Sequence, residues 1–75
     1  MSKSLIVRCF LVNASEEGKE VILTNLVTTE VEKVSLWSIV KSNLIVNGIK
    51  INIRDLYESR TGNELHNNRY LLEVI

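Results

Sequence analysis

The side chains able to do chemistry are few in this 75-residue chain, with one cysteine, Cys9, and one histidine, His66. A cysteine nucleophile needs a histidine or a cation beside it to hold the thiolate. Cys9 stands instead among Val7, Phe10 and Leu11, which reads as a small core hydrophobe on a strand. His66 lies in a polar segment, Glu64 to Asn68, where a loop imidazole is expected. No Ser, His and Asp or Cys and His arrangement follows from the spacing. Asp55, Glu58 and Glu64 gather loosely near one turn, too few and too polar in context to define a cation site. Gly18, Gly48 and Gly62 are too far apart to form a phosphate-cradling loop. No catalytic residue, cofactor or metal ligand is therefore assigned, and the chain is read as a non-enzyme.

Binding chemistry is better represented. Ile49, Ile51 and Ile53 alternate with Lys50, Asn52 and Arg54, the pattern of a strand with one packed face and one wet face. Arg69 and Tyr70 open the last apolar run and are expected on a neighbouring strand. Basic groups, an amide and an aromatic platform in one array suit a phosphate, an acidic peptide or single-stranded nucleic acid. Trp37 either caps the core or stands out as a contact anchor.

Composition narrows the classes. Nine acidic residues balance nine basic ones, so no broad field draws the chain to nucleic acid or to an anionic membrane. A lone cysteine cannot form an intrachain disulfide, which fits a reducing, cytoplasmic setting. Arg8 interrupts the first apolar run, no cleavage site follows it, and no stretch approaches the roughly 20 apolar residues of a spanning helix. A chain this short buries only about 60 to 65 % of the surface its unfolded form exposes, so residues 1–75 are read as a single domain. Leu, Ile and Val nevertheless make up 27 of the 75 residues. Each large aliphatic side chain left in water forgoes roughly 1.5 to 3 kcal/mol. Some of them are expected to face a partner.

The elements that would position these residues follow from local pattern. Ser4 to Asn13 is rich in strand-favouring residues and reads as a first strand. Asn13 to Gly18 has hairpin-loop composition, and Lys19 to Thr28 reads as a second, antiparallel strand. Thr29-Glu-Val-Glu32 matches a capping box, and Leu36, Ile39, Val40 and Leu44 recur at helical spacing. A helix is expected there, with Ser35 as an alternative cap, ending near Ser42. Asn47-Gly48 fits either a helix C-cap or a type I′ turn. A third strand follows from Ile49. Ser59 to Asn63 is a turn, and Arg69 to Ile75 is the last strand. The expected fold is α+β, a small mixed or antiparallel sheet of about four strands on one helix in the order ββαββ.

That order resembles a ubiquitin-like β-grasp domain. The resemblance rests on the opening hairpin Leu5 to Thr28, the helix after Thr29-Glu-Val-Glu32, and Gly62-Asn-Glu-Leu65 leading into Arg69-Tyr-Leu-Leu-Glu-Val. Modifiers and sulfur carriers of that family end in Gly-Gly, whereas this chain ends in Val74-Ile75. The resemblance then implies the family's non-covalent binding role rather than conjugation. The expectation is a protein–protein interaction domain, a small viral or bacterial accessory or inhibitory protein that docks on a partner and is able to form a homo-oligomer. The alternative is a small nucleic-acid-binding module using the basic strand face, which the neutral net charge disfavours. Candidate partner-binding residues are Trp37, Lys50, Asn52, Arg54, Arg69 and Tyr70.

Overall fold

The chain begins with a helix, not a strand. The computed structural model describes residues 2–75, and α1 spans Lys3–Glu16. The Ser2 hydroxyl caps its start by accepting from the Leu5 amide at 3.3 Å. At its end the Lys19 amide reaches the Ala14 carbonyl and the Gly18 amide reaches that of Ser15, with Gly18 at φ 70°. That is a Schellman close, which needs the left-handed conformation glycine adopts freely. The segment expected as a hairpin loop is thus the last turn and cap of a helix. Val7, Phe10, Leu11 and Ala14 are its buried residues, spaced i, i+3, i+4, i+7. Leu5 and Val12 remain exposed on other sides, and these extra apolar positions hide the helical period. Cys9, expected in the core, is exposed on this helix.

The stretch expected as a helix, Thr29 to Ser42, instead forms strands and turns. Strands among the described residues are β1 (Val21–Asn25), β2 (Val31–Lys33), β3 (Trp37–Val40), β4 (Asn43–Val46), β5 (Ile49–Asn52), β6 (Tyr57–Glu58), β7 (Glu64–His66) and β8 (Tyr70–Val74). A 3-10 turn, Ile53–Asp55, follows β5. The architecture is α+β with two antiparallel sheets, one ordered β2-β1-β8-β7-β6 and one ordered β3-β4-β5. It is not a ββαββ sheet of four strands on a central helix. Thr29 caps nothing: at φ 65° it turns the loop between β1 and β2, and its amide donates to the Asn25 carbonyl. The Leu36, Ile39, Val40, Leu44 stripe also fails as one face, since Leu36 and Val40 are exposed while Leu44 is fully buried.

Two-residue turns make the second sheet. Val40 pairs with Asn43 around Lys41-Ser42, and Val46 pairs with Ile49 around Asn47-Gly48. Asn47 at φ 48° and Gly48 at φ 84° have the positive φ values of a type I′ turn, one of the two conformations open to this dipeptide. Lys41 also has positive φ, 56°, although lysine lacks the short polar side chain that eases this conformation for asparagine. Lys41→Gly is therefore expected to stabilise the fold by about 0.5 kcal/mol, the relief of about 1 kcal/mol of backbone strain less the added freedom of the unfolded chain. Urea denaturation measures it as a higher midpoint at unchanged slope.

One hydrophobic cluster draws on all three layers. It joins Val7, Phe10, Leu11 and Ala14 of the helix to Val21, Leu23, Leu65 and Leu72 of the larger sheet. Leu44, Val46 and Ile51 of the smaller sheet, with Ile53 and Leu56, complete it. Ile53 was expected in a strand but lies in the 3-10 turn. Polar stitches close the remaining seams. Lys3 Nζ donates to the Arg54 carbonyl at 2.7 Å and lies 4.6 Å from the centre of the Tyr57 ring, tying the start of the helix to the turn. Glu20 holds Lys33 at 2.8 Å; their hydrogen bond first, and opposite charge second, raises the lysine above its ordinary value. Being solvent-exposed, that pair adds little to stability.

Candidate functional site

The β5 edge and the turn into β8 meet at a groove. Asn52 ends β5, and its Oδ1 accepts from the Arg54 amide at 2.9 Å, turning the chain into the 3-10 segment. Asn67 does the same before β8: its Oδ1 accepts from the amides of Arg69 and Tyr70, both at 2.7 Å. Both asparagines form local side-chain caps that redirect the backbone. The groove between them measures about 370 Å³ and is lined by Lys50, Ile51, Asn52, Asp55, Asn67, Arg69 and Tyr70. A second hollow of about 330 Å³ shares Asp55, Asn67 and Arg69 and continues to Asn68 and Tyr57. Sharing these three residues, the two adjoin as one mostly polar trough.

Four of the six candidate residues thus come together. Lys50, Asn52, Arg69 and Tyr70 line the groove, although they arise from two different sheets rather than from neighbouring strands of one. Arg54 does not join them; it sits in the 3-10 turn, exposed, with its carbonyl held by Lys3. Trp37 is half-buried in β3 and packed against the core. It lines a separate hollow with Leu11, Val21 and Val34. Asp55 and Asn67 were missed as groove residues. The signal for Asn67 was legible, since an asparagine three residues before a strand is a common turn former. Asp55 carried none, because its place depends on how the 3-10 turn packs.

The trough is electrostatically uneven. Two cations, Lys50 and Arg69, face one carboxylate, Asp55, yet the ion pairs found among the described residues are only Lys19–Glu17 and Lys33–Glu20. Both groove cations are left without a carboxylate partner within 4 Å. Apolar residues flank the site. The Leu26 amide donates to the Arg69 carbonyl at 2.7 Å, setting the β1–β2 loop beside the groove. Leu26 is 44 % and Val27 72 % exposed there.

The reactive residues stay apart. Cys9 is on α1 and His66 on β7, not in a loop; the imidazole lies 6.2 Å from the Tyr57 ring, centre to centre. Among the described residues no three metal-binding side chains cluster, and no helix is long and apolar enough to cross a membrane. The fold and groove define a small α+β domain with a polar trough at the junction of two antiparallel sheets. No protein-family model, curated protein or solved structure matches the chain.

Proposed function

We propose that this chain is a non-enzymatic protein-interaction domain that docks an extended segment of a partner in the trough between β5 and the β7–β8 turn. The observation that carries the reading is that two adjoining hollows share Asp55, Asn67 and Arg69, with Tyr70 lining one and Tyr57 the other. Tyrosine and arginine are the side chains that most often dominate binding energy at protein interfaces. The apolar surplus supports it as well. Leu5, Val12, Leu26, Val27, Val31, Leu36, Val40, Tyr57 and Ile75 are all exposed, and the Leu26 amide is hydrogen-bonded to Arg69 of the trough.

The test is capture of partners on the immobilised full-length chain, with Tyr70→Ala and Arg69→Glu as controls whose folding is checked by circular dichroism. Loss of a hot-spot side chain weakens binding at least about tenfold, roughly 1.4 kcal/mol. A partner held equally well by both folded variants rejects the trough as the docking site. Lys50, Arg69 and Tyr70 in one groove also suit a single nucleic-acid strand, stacked on the ring and neutralised by the cations. That reading requires affinity that falls steeply with salt.

A further inference from the structure

We infer that the groove is selective for a carboxylate presented on an extended peptide, so that the partner segment is acidic at the position seated between Lys50 and Arg69. The inference rests on the trough being the docking site. It begins with the two asparagines. Because Oδ1 of Asn52 and Oδ1 of Asn67 each accept from backbone amides, the orientation of both side-chain amides is set by their hydrogen bonds. Asn67 Oδ1 already takes two amides and Asn52 Oδ1 one, while among the described residues neither Nδ2 has a partner. Two residues with unpartnered side-chain amide donors, one ammonium and one guanidinium thus line a groove in which Asp55 is the one carboxylate. A donor-rich wall recognises an oxyanion.

The remaining features choose among oxyanions. The planar guanidinium fork of Arg69 matches the two oxygens of a carboxylate. Asp55 opposes the dense negative charge of a phosphate backbone, but it can accept from the backbone N–H of a peptide. An extended acidic segment supplies both the carboxylate and such donors, whereas a DNA backbone supplies none and an RNA backbone only its ribose hydroxyls. The zero net charge of the chain likewise gives no long-range attraction to a polyanion.

The experiment is a titration of the isotope-labelled full chain followed by the backbone amide signals of Lys50, Asn52, Asn67, Arg69 and Tyr70. The probes are a blocked pentapeptide with one glutamate between leucines, its glutamine twin, inorganic phosphate, and a short oligothymidylate. The glutamate peptide is expected to give saturable shifts confined to this groove, at least fivefold tighter than the glutamine twin. Arg69→Gln is expected to abolish that preference, and Arg69→Lys to restore part of it, with signals outside the groove unchanged. Equal affinity for the two peptides overturns the inference. So does tighter binding of phosphate or oligothymidylate, or the absence of saturable shifts with every probe. The docking reading is separable from it: a captured partner lost on Tyr70→Ala or Leu26→Asp keeps the trough as an interface even if the carboxylate preference fails.

Discussion

Leu72→Ala is expected to destabilise the protein by about 3 to 4 kcal/mol, a cost within the usual range for a fully buried leucine truncated to alanine. Leu72 has no exposed surface and lies in β8, flanked in the sheet by β1 and β7. It stands directly opposite Leu23 on one side and Leu65 on the other, and both are also buried. The three leucines run as one row across the inner face of the larger sheet. Removing the middle one opens a cavity that neither neighbour can fill, because the register holds both in place. A domain of this length has a total stability of only about 4 to 11 kcal/mol, so the variant forfeits roughly a quarter of it or more. Chemical denaturation measures this as a much lower midpoint. Leu36→Ala is the control: Leu36 is 76 % exposed, and its loss is expected to cost no more than about 0.5 kcal/mol.

Asn47→Ala carries the second-largest expected effect, about 2 to 3 kcal/mol, unusual for a residue in a tight turn. Its Oδ1 accepts from the Ser35 amide at 2.9 Å, the Ser35 hydroxyl at 3.0 Å and the Leu36 amide at 3.1 Å. Its Nδ2 donates to the Lys33 carbonyl at 2.7 Å and to Glu32 at 3.2 Å. These partners occupy β2 and the short link to β3, where the chain leaves one sheet and enters the other. Asn47 therefore clamps the crossover between sheets, and it also tolerates the positive φ of its turn. Alanine loses both properties. Asn47→Gly keeps the backbone conformation and loses only the side-chain bonds, so it is expected to be milder than alanine by about 0.5 to 1 kcal/mol. Equal losses for the two, measured by thermal or urea unfolding, would show that the hydrogen bonds alone account for the effect.

The clamp could not be foreseen from the chain, because its partners lie 11 to 15 residues away in sequence. The groove was half legible for a related reason. Lys50 and Asn52 declared themselves by alternating with buried isoleucine, and Arg69 and Tyr70 by opening the last strand. That these two pairs face each other depends on the packing of one sheet against the other. Asp55 joins them for the same reason, and Arg54 leaves them because the strand gives way to a 3-10 turn after Asn52.

The amino-acid sequence by itself determined the α+β class, a strand within Lys19 to Thr28 (Val21–Asn25 in the structure), the alternation through Ile49 and Ile51, and the final strand. It also determined that aliphatic content would exceed what so small an interior absorbs. Those features rest on short-range pattern and on composition, which need no distant partner. Tertiary structure alone decided that Leu5 to Val12 coils while Leu36 to Val46 extends. Both stretches are dense in β-branched and aliphatic residues, and local preference separates helix from strand by only a few tenths of a kcal/mol per residue. Burial is worth several times more per side chain. The winning conformation is the one that sends Val7, Phe10 and Leu11 from a helix, and Leu44 and Val46 from a strand, into the same core.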